Sequence, residues 1–122
     1  MGIADAKSGT GIIMSNLGKF DEGLKNCMDA VKLYDQLLRS SNIRDKSIIL
    51  RKQSYAYNSA GIIYSQQGNY PEALKNLYAA LKIREETGDK KGVSYTQNNI
   101  AIIYFTQHNY AGALKYFSAS LK

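Results

Sequence analysis

The chain repeats itself. Residues 61–82 read GIIYSQQGNYPEALKNLYAALK and residues 101–122 read AIIYFTQHNYAGALKYFSASLK, with 12 identities in 22 gapless positions. A fainter copy, GIIMSNLGKFDEGLKNCMDAVK at 11–32, shares 11 with the middle one. The successive offsets are 50 and 40 residues. Units of this size cannot bury an apolar face alone, so they stack, and the neighbour supplies the missing half of each core.

Within a copy the apolar residues keep helical time. Tyr57, Ala60, Gly61 and Tyr64 recur at i, i+3, i+4 and i+7, and Tyr70, Ala73, Leu74, Leu77 and Leu81 repeat the pattern. Between the two helices, Gly68 suits the left-handed residue that closes a helix. Asn69 suits an N-cap, with Glu72 placed to complete a capping box, and Pro71 fits the first turn. The third copy has His108 in place of Gly68, while the first keeps Gly18 but puts Lys19 at the cap. Mid-helix Gly11, Gly61 and Ala101 face Gly23, Ala73 and Ala113 of the following helix. A glycine inside a helix costs about 1 kcal/mol relative to alanine, so its recurrence predicts a helix pressed close at that point.

A small residue followed three on by an aromatic, then G-x-[YF]-x-x-A-L and a second helix with spaced aromatic and alanine residues, resembles the tetratricopeptide repeat. Residues 54–87 and 94–122 carry the resemblance well, and 4–32 carry it loosely. The spacing from 61 to 101 and the Gly88-Asp89 turn are similar to the longer-helix variant, with a period near 40 residues, of spindle-orientation scaffolds, kinesin light chains and bacterial regulators. The expectation is an all-α, right-handed superhelical array of three repeats, about 4–40, 44–87 and 90–122, built from six antiparallel helices. These helices should run near 4–17, 21–40, 44–67, 70–87, 90–107 and 110–121.

The resemblance implies a protein-interaction module whose first helices line a concave face that takes a partner peptide. The stripe it assigns there is Tyr55, Asn58, Ser59, Ile62, Ser65 and Gln66, followed by Tyr95, Asn98, Asn99, Ile102, Phe105 and Thr106. The first copy adds Asp5, Ser8, Ile12 and Ser15. Amides on such a face can pair with both groups of an extended backbone, and the aromatic and isoleucine side chains add apolar contact. The family's clamp for a terminal carboxylate needs Lys and Arg along this stripe. Here Ser8, Ile12, Ser59, Tyr95 and Asn99 stand in those places, so that clamp is not expected.

A net charge of +6 raises nucleic acid as a weaker alternative. Residues 1–40 balance five basic against five acidic side chains, and the excess falls at the junctions in Arg44, Lys46, Arg51, Lys52, Arg84, Lys90 and Lys91. Junction charges read as solvated tips. His108 is the sole histidine and reads as a turn residue rather than a metal ligand. Cys27 takes the place of Leu77 and Phe117 and reads as core. Tyr64, Tyr70, Tyr104 and Tyr110 fall on buried stripes, which argues against base stacking. No catalytic constellation, phosphate loop or cofactor motif emerges, so an enzyme is not expected.

No apolar run approaches the roughly 18 residues of a membrane span, and a single cysteine suits a reducing, cytoplasmic setting. The pattern stops mid-copy at Ser120-Leu121-Lys122 and opens abruptly at Met1-Gly2. Both suggest part of a longer protein, such as the regulatory region of a bacterial sensor kinase or transcription regulator. The last helix would then bare Phe117 or Leu121 and could pair with a second copy.

Overall fold

The computed structural model describes residues 2–40 and 43–121. Six helices follow one another: α1 Gly2–Asn16, α2 Phe20–Ser40, α3 Ile43–Gln66, α4 Tyr70–Glu86, α5 Lys90–Thr106 and α6 Tyr110–Ser120. Each lies within about two residues of the expected span. The side chains of Ile12, Ser15, Arg44 and Asp45 are outside the described set.

The turns share one device. Gly18, Gly68, Gly88 and His108 take φ of 80°, 77°, 72° and 63°. The residue after each donates its N–H back to the carbonyl five residues earlier: Lys19 to Met14, Asn69 to Tyr64, Asp89 to Arg84 and Asn109 to Tyr104, at 2.8–2.9 Å. This bond satisfies a carbonyl that the helix end leaves unpaired. His108 closes its turn without glycine, and its Nδ1 lies 2.9 Å from the Tyr110 hydroxyl.

Capping departs from expectation at one start. Asp89 and Asn109 each accept a side-chain cap bond at 3.0 Å, from Gly92 N–H and Gly112 N–H. Asn69 makes no such bond, so the expected capping box with Glu72 is not formed. The two capped helices have glycine at the third position, where the cap side chain folds over the bare backbone; a Cβ on Gly112 would sit 3.0 Å from Asn109 Nδ2.

The helices of a pair meet at their small residues. A Cβ on Gly11 would lie 2.7 Å from the Gly23 carbonyl oxygen and 2.6 Å from Cys27 Sγ, and one on Gly61 would lie 2.7 Å from Leu77 Cγ. Cys27 is fully buried at this contact, and burial pushes its thiol up to about 11. Ala101 and Ala113, the matching residues of the last pair, are buried too.

Stacking between pairs completes the core. Tyr34, Val31 and Ala30 of α2 pack with Ile49 and Ala56 of α3, and Leu77 and Leu81 of α4 pack with Ile100 and Ile103 of α5. The first helices also touch one another, α1 with α3 and α3 with α5. Tyr64, Tyr70 and Tyr104 are half-buried in these layers, as their stripes imply. Tyr110 is not: it is 57% exposed and rests edge-on against Phe105. Its counterpart Tyr70 packs in the layer that α5 completes, and no described helix lies beyond α6 to do the same for Tyr110. On α6, Leu114 is exposed and Phe117 is half-buried, and Leu121, just past its end, is exposed.

Two junction cations are not solvated tips. Arg84 is 6% exposed, and Lys52 donates to Asp5 Oδ2 at 2.7 Å. Arg84 continues the stripe of Ala73, Leu77 and Leu81, which turns it inward. Lys46, Arg51, Lys90 and Lys91 are exposed as expected.

Candidate functional site

The first helices line a groove made of adjoining chambers that share lining residues. The largest holds about 530 Å³. Tyr55, Asn58, Ser59, Ile62 and Gln66 of α3 form one wall, and Asp89, Lys91, Gly92 and Tyr95 at the start of α5 form the other. Arg84, at the end of α4, completes the lining. A second chamber of about 170 Å³ shares Ile62 and Gln66 and reaches Ser65, Asn99 and Ile102. A third, of about 320 Å³, shares Tyr55 and runs toward Asp5, Ser8 and Lys52. From Tyr55 to Gln66 the groove follows α3 for about 16 Å, at a rise of 1.5 Å per residue.

The expected stripe divides into three groups. Tyr55, Gln66, Tyr95 and Ile102 are open to solvent on the groove, with Tyr95 at 53%, and Ile62, Ser65 and Asn99 are half-buried beside them. Phe105 and Thr106 are exposed further along α5 but outside these chambers, and Asn98 is half-buried and also outside them.

Asn58 and Ser59 form the third group and require correction, because both are buried, Asn58 at 2%. The Asn58 Oδ1 accepts from Thr96 Oγ1 and from Asn99 Nδ2, each at 3.4 Å, so this oxygen joins α3 to α5. Ser59 returns its hydroxyl to the Tyr55 carbonyl at 2.9 Å. Ser8 is likewise buried, and its Oγ is a buried side-chain atom without a partner among the described residues. One residue's shift around a helix is 100°, enough to take a position from groove to interface.

Asp5 is not a free negative charge either. Lys52 and the Tyr34 hydroxyl both donate to its carboxylate. Burial pushes its carboxyl up, but these two hydrogen bonds together with the Lys52 charge outweigh that and hold it below the usual carboxylate value.

Arg84 is the groove residue that sequence reasoning missed. Its Nε donates to Ser54 Oγ at 3.2 Å, and its Nη1 donates to Thr96 Oγ1 at 2.6 Å and to the Gly92 carbonyl at 3.3 Å. The guanidinium thus ties α3, α4 and α5 together. Its place on the stripe of Ala73, Leu77 and Leu81 was the available signal.

The chemistry of the face is therefore aromatic edges, amides, the buried Arg84 cation and the Asp89 and Lys91 charges at the start of α5. Among the described residues no group of three or more His, Cys, Asp or Glu side chains is arranged to hold a metal ion. The tetratricopeptide repeat family model matches residues 52–122, more than half of the chain. The chain belongs to the tetratricopeptide repeat family. Members of this family generally mediate protein–protein interaction and are typically non-catalytic modules. No curated protein matches the chain significantly. Among the described residues no helix is long and apolar enough to cross a membrane.

Proposed function

We propose that this tetratricopeptide array holds an extended segment of a partner protein in the groove between α3 and α5. The observation that carries the reading is the row of side chains on adjoining chambers: exposed Tyr55, Gln66 and Tyr95 on the large one, exposed Ile102 and half-buried Asn99 on the next. About 16 Å of groove accommodates roughly five residues of extended chain at 3.3 Å each. The Asn99 amide offers polar groups to its backbone, and the aromatic and isoleucine side chains offer apolar area. A basic-junction reading, with nucleic acid as partner, loses two of its seven residues, since Arg84 is buried and Lys52 is paired.

The test pans a random dodecapeptide phage library on the protein and measures the recovered peptides by fluorescence anisotropy. Tyr95→Ala and Ile102→Ala remove groove contacts at solvent-exposed positions, so folding should persist by circular dichroism. Each should weaken binding about tenfold, the effect of removing a well-packed contact residue. Peptides that bind the two variants as well as they bind the parent protein would place the interaction elsewhere.

A further inference from the structure

We propose that Arg84 is the anion anchor of this groove and receives a side-chain carboxylate, from Asp or Glu, of an acidic partner segment. The inference rests on the groove reading and adds the chemistry of what the groove prefers.

A guanidinium has five N–H donors in a fixed fork. In Arg84, Nε is used by Ser54 Oγ and Nη1 by Thr96 Oγ1 and the Gly92 carbonyl. No described residue accepts from Nη2, whose two N–H groups remain for the large chamber that Arg84 lines. The three acceptors are all neutral, and among the described residues no carboxylate makes an ion pair with this side chain, which is 6% exposed; the Asp89 carboxylate acts on it from the same chamber without pairing. Burial pushes its pKa down, and the nearby Asp89 carboxylate opposes that shift without cancelling it. A buried cation of this kind gains most from an opposite charge delivered into the same low-dielectric space.

The site is also built in advance. Contacts from α3 and α5 hold the fork before any ligand arrives, so little side-chain entropy remains to be lost on binding. Arg84 stands on α4, off the first-helix stripe, which is why reading that stripe alone finds no cation for a partner.

The neighbours favour a monoanion. Lys91 lies on the same chamber and is exposed, adding a second positive charge. Asp89 lines it too, and its Oδ1 is occupied by Gly92 N–H as the α5 cap. The three side chains leave a net charge of about +1 beside the free Nη2. A carboxylate matches that charge, whereas a phosphate dianion exceeds it and is repelled about twice as strongly by Asp89.

The same phage-derived peptides test the proposal. Recovered sequences should carry Asp or Glu at a fixed position among apolar residues. The best is synthesised together with its acid-to-amide version (Glu→Gln or Asp→Asn) and a version with phosphoserine at that position. The amide should bind the parent protein about tenfold or more weakly, as for loss of a charge-assisted hydrogen bond. Against Arg84→Gln the acid and amide peptides should bind alike.

Where Arg84→Gln fails to fold, the Arg84 side-chain N–H resonances of the ¹⁵N-labelled parent protein should shift with the acid peptide and not with the amide. No acidic preference, or an acid-to-amide loss that persists in Arg84→Gln, overturns the anchor while leaving the groove reading intact. Tighter binding of the phosphoserine peptide overturns the carboxylate in favour of phosphate. Recovery of no peptide that depends on Tyr95 and Ile102 overturns the groove reading and the anchor with it.

Discussion

Arg84 of α4 donates Nη1 to Thr96 Oγ1 of α5 at 2.6 Å, across the boundary between the second and third helix pairs. Both side chains are buried, so water cannot replace the hydroxyl if it is removed. Thr96→Val keeps the shape and deletes the acceptor. It should lower stability by about 1–3 kcal/mol, the cost of an unsatisfied buried donor. Thr96→Ser, which keeps the hydroxyl, should lose less. Urea unfolding of the three proteins compares them, and a neutral Thr96→Val would mean that the bond adds nothing net.

The contact of Gly11 with Gly23 and Cys27 makes an opposite prediction to helix propensity. In an open helix Gly→Ala gains about 1 kcal/mol. At position 11 the new methyl would sit 2.7 Å from a backbone oxygen, which cannot turn away as a side-chain tip can. Gly11→Ala should therefore destabilise by about 1–3 kcal/mol, as overpacked cores do. Gly61→Ala should cost less, because its closest contacts are side-chain atoms of Leu77. Thermal melts of both variants give the ordering.

His108 holds φ 63° where three equivalent turns have glycine. A left-handed residue with a Cβ carries about 1–2 kcal/mol of strain, and glycine returns about 0.5–1 kcal/mol of it through greater freedom in the unfolded chain. His108→Gly should raise stability by up to about 1 kcal/mol, less whatever the Tyr110 hydrogen bond contributes. His108→Val, branched at Cβ, should lower it. Chemical denaturation of both variants tests the sign.

Asp5 supplies an acid-sensitive tie between α1, α2 and α3 through Tyr34 and Lys52. Its carboxyl is held below the ordinary value of 3.8. The unfolded chain therefore takes up the proton first as pH falls. The stabilisation is fully present above pH 3.8 and disappears as pH drops through the lower folded-state value. Asp5→Asn should reduce the melting temperature at neutral pH and flatten its decline over that acidic range. Parallel slopes for the two proteins below pH 4 would count against the tie.

Much of this architecture was legible in the amino-acid order. Gly18, Gly68 and Gly88 announce their turns because an L side chain resists positive φ, and the repeated small residues announce close helix contacts because nothing larger fits. Those are local or pairwise constraints, and three copies of one pattern let each check the others. Helix starts were less legible: Asn69 and Asn109 look alike in sequence, yet Asn109 accepts a cap bond and Asn69 does not.

What the sequence determined by itself is the helical repeat, its turns, its close contacts and the face on which Tyr55, Tyr95 and Ile102 stand. Only the tertiary structure decided which polar residues of that face are buried. Asn58 and Asn98 hold equivalent places, but α5 covers Asn58 and takes its oxygen, whereas Asn98 is half-buried. Arg84 and Lys52 look like surface charges until Ser54, Thr96 and Asp5 arrive from other helices to receive them. Periodicity sets the direction of a side chain around its own helix; what waits there depends on where distant segments pack, and a burial of that kind has no period to read.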